Sequence, residues 1–202
     1  MRTGIFGGAF NPPHKGHTAS LLEFIKSASP DKVLVIPSYI SPHKNAPEKS
    51  AGFEERCEMC ALAFPNNADG CDVIISDIEK TLFLKSKEKS YTYKTIETLM
   101  EMGEEDLCLF VGSDMFLTLD TWKKAEFILS NCEIYTIARD ENEDEKLWDF
   151  SKKLQKNFKT RKIHIIETSP VPASSTDVRA GAMTLLNTRV RDYILEKGIY
   201  NE

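Results

Sequence analysis

Gly4-Ile5-Phe6-Gly7-Gly8-Ala9-Phe10-Asn11-Pro12-Pro13-His14-Lys15-Gly16-His17 is the stretch from which the fold can be read. An apolar run is broken by glycines and by Asn-Pro-Pro. Two histidines three residues apart then precede an apolar-periodic segment at Leu21, Leu22 and Ile25. That order predicts a strand, a tight loop and a helix start. Gly7 and Gly8 are expected to take backbone angles closed to a residue with a Cβ, and to let a ligand approach the main chain. A helix N-terminus presents unpaired N–H groups and a partial positive charge, so the loop is built as an anion cradle. At i and i+3 of a first helical turn, His14 and His17 share one face and can reach one ligand as donors to an anion; the alternatives are a surface pair at a helix start or two metal ligands.

Outward from this stretch, composition sets limits. The chain has 202 residues, of which 41% are hydrophobic and 28% charged. That is enough for a buried core, and with no repeat or linker, residues 1–202 are expected to form one domain. No run nears the roughly 18 apolar residues of a membrane span, and the opening residues lack a signal peptide's apolar region. A cytoplasmic protein without a membrane partner is expected. A net charge of -5 opposes binding along a nucleic-acid polymer, which needs a basic face. Cations for a nucleotide must be concentrated locally, and the candidates are His14, His17, His43, Lys44, Arg139 and Arg179. Cys57-Glu58-Met59-Cys60 has a spacing used by zinc and redox sites, but a second ligand pair is missing. The two thiols fall on the helical row Phe53, Cys57, Cys60, Ala61, Phe64, where cysteine packs as a small hydrophobe. No metal site is expected.

Further along, Lys32–Ile36 reads as a buried strand. It leads into a loop, residues 37–47, that carries His43 and Lys44 at a strand's C-terminal end, where open α/β sheets bind ligands. A helix at about 53 to 64 and a strand at 72–77 precede a charged loop, 85–89. Ser90 or Thr92 can then cap a helix carrying Ile96, Leu99 and Met100. The strand 107–111 runs into Gly112-Ser113-Asp114, where Asp114 is either a cap or a hydrogen-bond acceptor for a ribose. Trp122 offers a flat face for a ring, or packs in the core. Strands at 133–138, ending at Arg139, and at 162–166 flank a helical row at Leu147, Phe150, Leu154 and Phe158. His164, in mid-strand, reads as structural. Ser174 or Ser175 with Asp177 marks a second helix start that can point at an anion, with Arg179 in its first turn. A last amphipathic helix closes at Gly198. Alternating strands and helices predict an α/β fold with a doubly wound, mainly parallel, Rossmann-like sheet. The absence of Gly-x-Gly-x-x-Gly argues against a dehydrogenase.

Gly8-x-Phe10-x-Pro12-x-His14-x-Gly16-His17 resembles the signature of the HxGH nucleotidyltransferases. Ser174-Ser175-Thr176-x-x-Arg179 resembles that family's second signature, with Ala173 in place of Ile, and Pro42-x-Lys44 resembles its phosphate-binding lysine loop. Ser90-Tyr91-Thr92, and Gly112-x-Asp114 followed by Trp122, resemble the segments with which nicotinate-mononucleotide adenylyltransferases hold their second substrate. The likeness runs over nearly the whole chain. It departs at Ala9, where relatives often carry Thr or Ser, and at Lys94, where they often carry an acid.

The resemblance implies adenylyl transfer from ATP to nicotinate mononucleotide, giving deamido-NAD and pyrophosphate. It implies His17 on the α-phosphate, His14 beside it, and Lys44 and Arg179 on the leaving pyrophosphate. Gly7, Gly8, Phe10, Gly16, Ser174, Ser175 and Thr176 would surround ATP. Ser90, Tyr91, Thr92, Gly112, Asp114, Trp122 and Arg139 would surround the mononucleotide. Mg²⁺ would arrive mainly on ATP oxygens, and a homo-oligomer is compatible with the family. The alternatives are an HxGH adenylyltransferase acting on nicotinamide mononucleotide or phosphopantetheine, and a non-catalytic nucleotide sensor on the same fold. A class I aminoacyl-tRNA synthetase core shares the histidine motif, but this short chain lacks a Lys-Met-Ser-Lys-Ser loop.

Overall fold

The computed structural model describes residues 1–40, 50–138, 143–168, 171 and 173–200. Seven strands, β1 (Arg2–Gly8), β2 (Lys32–Pro37), β3 (Asn67–Ala68), β4 (Cys71–Ile75), β5 (Asp106–Phe110), β6 (Cys132–Ile137) and β7 (Ile163–Ile166), form one sheet in the order β3-β4-β2-β1-β5-β6-β7. Every neighbouring pair is parallel except β3 with β4. The chain builds outward from β1 through β2 to β4, then returns to β5 and builds the other way. The strand order therefore reverses between β1 and β5, where open α/β sheets leave a crevice at the strands' C-terminal ends.

The helices are α1 (Lys15–Ala28), α2 (Phe53–Ala63), α3 (Ile78–Ser86), α4 (Thr92–Glu101), α5 (Ser113–Phe116), α6 (Ala125–Asn131), α7 (Asp144–Asn157), α8 (Ser175–Arg179) and α9 (Thr188–Lys197). They cover both faces, which is why Thr3–Phe6 of the central strand is buried throughout. Successive side chains of a strand point to opposite faces. Phe6 thus joins a core with Phe24 of α1, Met59 of α2 and Ile194 of α9, while Ile5 joins one with Leu99 of α4, Leu129 of α6 and Leu147 of α7.

Three local expectations are corrected. The segment read as a charged loop from Lys85 begins as the last turn of α3, a helix with no fully buried residue and hence no apolar stripe to read. On α2 the buried row is Arg56, Met59, Cys60 and Ala63, whereas Cys57 is half-buried and Ala61 exposed. That row has helical spacing but is headed by an arginine, which a search for apolar residues passes over. Neither Ser90 nor Thr92 caps α4. Tyr91 stands at the cap without a side-chain bond, and the Ser90 hydroxyl oxygen instead accepts the Ile40 N–H at 3.2 Å.

Candidate active site

β1 delivers Gly7 and Gly8 to the C-terminal edge of the sheet, in register with Ile36 and Pro37. Neither glycine has a positive φ, so the expectation of special backbone angles is corrected. The left-handed residue is Phe10, at φ 46°. Gly8 must be bare because a Cβ there would lie 2.8 Å from the Phe10 ring, whereas a Cβ on Gly7 would meet nothing within 4 Å. Gly7 thus leaves open backbone at the edge. A left-handed non-glycine residue costs about 1–2 kcal/mol. Burying a phenylalanine returns about 1.5–3 kcal/mol, so the conformation is held by its ring. That ring is 1% exposed, stacks on Phe6 at 5.9 Å, and meets His17 edge-on at 5.1 Å.

His14 is the N-cap of α1, one residue before the first turn expected for it. Its Nδ1 accepts the His17 N–H at 3.4 Å, and the Nδ1 of His17 accepts the His14 N–H at 3.2 Å. This is a capping box in which two imidazoles replace the usual hydroxyl and carboxylate. The rings stack with centroids 3.7 Å apart. An Nδ1 that accepts a hydrogen bond carries no proton, so each ring's proton sits on Nε2 and both rings offer an Nε2–H donor. Gly16 is bare because a Cβ there would lie 3.1 Å from the His14 ring and 3.2 Å from the Val171 carbonyl oxygen. The spacing His-x-Gly-His thereby acquires a packing reason.

The second signature docks on this loop. The Ser175 hydroxyl donates to the Pro12 carbonyl at 2.8 Å, and Arg179 Nη1 donates to the Asn11 carbonyl at 2.6 Å, while Nη2 reaches the Thr176 hydroxyl at 3.2 Å. Ser174 is the N-cap of α8 and accepts the Asp177 N–H. Arg179 is the last residue of this five-residue helix rather than in its first turn, because the chain turns off at Ala180 and Gly181, the latter at φ 107°. One terminal nitrogen of its half-buried guanidinium is thus bonded to the loop and the other to Thr176, which uses two of its five N–H donors.

On the other side of the strand switch, Gly112 caps α5. The Asp114 carboxylate accepts the N–H of Met115 at 2.9 Å. Trp122 follows a 3-10 turn, Leu119–Thr121, half-buried against the second core. Ser90, Tyr91 and Thr92 lie where α4 begins. Ser90 is bonded in both directions to Ile40, just past the C-terminal end of β2, which puts the start of α4 at the same edge of the sheet as Gly112, just past the end of β5. Lys94, which stands where an acid was expected, pairs with Glu88. His43, Lys44 and Arg139 lie outside the described residues. Among the described residues no group of three or more His, Cys, Asp and Glu side chains is arranged to hold a metal ion, and no helix is long and apolar enough to cross a membrane.

Two contributors are absent from the sequence reading. Asn11 is 7% exposed. Its side-chain oxygen accepts the Ala51 N–H at 3.1 Å and the Tyr200 hydroxyl at 2.7 Å, and its Nδ2 donates to the Ser50 hydroxyl. Arg56 donates to the carbonyls of Ala9 and Ser38, both at 2.8 Å. Burial pulls its pKa down. A lone arginine in an otherwise apolar helical row was the available signal for Arg56. Nothing in the local pattern singled out Asn11.

Residues 5–181 match the cytidylyltransferase-like family model. A probable nicotinate-nucleotide adenylyltransferase of Caldicellulosiruptor saccharolyticus is 31% identical to the chain, with 100% of both covered. One of Fusobacterium nucleatum is 32% identical over 89% of this chain and 86% of its own. Among solved structures, Plasmodium falciparum nicotinic acid mononucleotide adenylyltransferase complexed with NaAD superposes with a TM-score of 0.75. That match covers 99% of this chain and 97% of that one at 19% identity, a likeness of fold.

Proposed function

The chain belongs to the cytidylyltransferase-like family, and within it to the nicotinate-nucleotide adenylyltransferases; from that premise we propose how its residues perform the reaction. The activity is adenylyl transfer from ATP to nicotinate mononucleotide, which yields deamido-NAD and pyrophosphate. A phosphate oxygen of the mononucleotide attacks the α-phosphorus of ATP in line, the new P–O bond forms, and the bond to the β-phosphate breaks. Little covalent work falls to the protein, so positioning and charge neutralisation dominate.

The observation that carries this reading is the reciprocal cap of His14 and His17, which fixes both rings as Nε2–H donors beside the docked second signature. His17 is assigned to the α-phosphate and the transition state, and His14 to the adjoining phosphates. Arg179 and Lys44 are assigned to the leaving pyrophosphate. Gly7, Gly8, Phe10, Gly16, Ser174, Ser175 and Thr176 line the ATP side. Ser90, Tyr91, Thr92, Gly112, Asp114, Trp122 and Arg139 serve the mononucleotide across the strand switch. Imidazole N–H, guanidinium and main-chain N–H groups fit phosphate oxygens rather than a hard cation, so Mg²⁺ would be carried by the polyphosphate, whose charge it neutralises. We take residues 1–202 as one nucleotidyltransferase domain, a reading supported by the single sheet. A reaction between soluble nucleotides fits a cytoplasmic enzyme.

Pyrophosphate release from ATP with nicotinate mononucleotide, nicotinamide mononucleotide or phosphopantetheine, each offered separately, tests the proposal. The nicotinate substrate should give the highest kcat/KM. Release with phosphopantetheine alone would transfer the chain to another HxGH activity, and ATP binding without release under any condition would make it a sensor.

A further inference from the structure

Helix α2 turns a charged side chain inward. Arg56 heads the buried row of that helix and is 8% exposed. Arginine is rarely buried without a carboxylate nearby, and the Glu79 charge acts on this one, but the fork itself bonds two main-chain carbonyls, Ala9 through Nη1 and Ser38 through Nη2. Ala9 follows β1 and Ser38 follows β2, so one planar group bridges the ends of the two strands that flank the first loop. Ser38 is tied in as well, because both its N–H and its hydroxyl donate to the Gly8 carbonyl, at 2.9 and 3.0 Å. The Phe53 ring covers the guanidinium at 5.5 Å.

The consequence lies in the peptide that follows Ala9. In a trans peptide the carbonyl and the next N–H point in opposite directions. A carbonyl pinned toward Arg56 therefore turns the Phe10 N–H away from it. The same pin holds the peptide entering Phe10, whose φ of 46° and buried ring put an aromatic edge against His17.

We propose that Arg56 is a positioning residue for adenylyl transfer: by clamping the Ala9 and Ser38 carbonyls it fixes the peptide before Phe10 and, through the Phe10 ring, the orientation of His17. It touches no substrate. The proposal rests on the adenylyltransferase reading, and its test includes a signal that does not depend on turnover.

Arg56→Lys keeps the charge but cannot reach both carbonyls as a fork. In the full chain it should melt within a few degrees of the parent. Its kcat should fall about 10- to 100-fold, the scale of a small misplacement of a reacting group, with KM for nicotinate mononucleotide changed less than about 3-fold. The ring carbon resonances of His17, assigned by NMR without substrate, should shift. Phe10→Leu, which leaves the clamp intact and removes the ring, should move the same resonances and lower kcat alike. A folded Arg56→Lys protein with parental kcat and unmoved His17 resonances overturns the proposal. If Arg56→Lys does not fold, parental kcat and unmoved resonances in Phe10→Leu overturn it instead. Should the parent itself release no pyrophosphate, the activity assignment fails, and the His17 resonances still decide the role of Arg56.

Discussion

The imidazole rings of His14 and His17 lie with centroids 3.7 Å apart, and each Nδ1 accepts the other residue's backbone N–H. One pair of side chains thus does two things at once: it closes the first turn of α1 and it sets the tautomers of the groups assigned to phosphate. The two roles can be separated by substitution.

His17→Ala loses both. His17→Gln keeps an amide oxygen at the third helical position, which can still accept the His14 N–H, but has no imidazole. The glutamine variant should melt close to the parent, and the alanine variant should lose about 0.5–2 kcal/mol of stability, as helix caps do. Both should lose turnover by about 10²-fold or more, as when a positioned donor to a transition state is removed. Thermal melts and pyrophosphate release read the two effects apart, and near-parental turnover in His17→Gln would remove His17 from the chemistry.

Gly16→Ala sets two effects of opposite sign against each other. Alanine gains up to about 1 kcal/mol of helix propensity, but its Cβ would press on the His14 ring at 3.1 Å and on the Val171 carbonyl oxygen at 3.2 Å. Overpacking costs about 1–3 kcal/mol, so crowding should win. The variant should be mildly destabilised, with turnover reduced about 10-fold through a displaced His14. A variant more stable than the parent with full activity would show that the ring has room to yield.

Trp122→Ala examines the mononucleotide side proposed beyond the strand switch. Stacking on an aromatic ring is worth about 1–3 kcal/mol per base, so KM for nicotinate mononucleotide should rise about 5- to 150-fold while that for ATP changes little. The reverse pattern in steady-state kinetics would place Trp122 on the ATP side.

Acid stability should report the network at the opposite edge of the sheet. Burial alone would raise the Glu133 carboxyl, but the Arg2 guanidinium at 2.7 Å, with help from His164 and Tyr135, outweighs it and holds the carboxyl below its ordinary value. A depressed carboxyl stabilises the fold above its unfolded pKa of about 4.3, and that contribution disappears as pH falls through the folded value. Glu133→Gln should therefore cost about 1–2 kcal/mol at pH 7, between an exposed and a fully buried pair, and progressively less below pH ~4. Urea unfolding across that range measures it. A difference that stays constant down to pH ~2 would assign the loss to packing instead.

Much of this was legible because it is periodic or local. The β1 run, the apolar row of α7 and the cap at Ser174 each declare themselves within a few residues, and the alternation of elements leaves a doubly wound sheet as the arrangement. What stayed hidden depends on contacts distant in sequence or on the meaning of a charge. Asn11 meets Tyr200 across 189 positions, and Arg56 looks like a solvated residue until its carbonyl partners are seen. α3 has no buried residue and so wrote no pattern. Of the two reasons the sequence offers for Gly7 and Gly8, special backbone angle is the one that fails: Gly8 makes room for the Phe10 ring, and Gly7 leaves open backbone at the edge.

The cysteines offer an experimental handle. Cys60, Cys71, Cys108 and Cys132 are buried and Cys57 is half-buried, all as free thiols. Burial, with the nearby Glu54 charge, raises even Cys57 to about 11, and the thiolate is the form that reacts. At pH 8 a thiol-exchange reagent should therefore label the native chain slowly, and should find all five sulfurs once it opens. Followed by mass spectrometry, the jump from unlabelled to fivefold-labelled molecules would count global openings under native conditions, a clock already present in the chain.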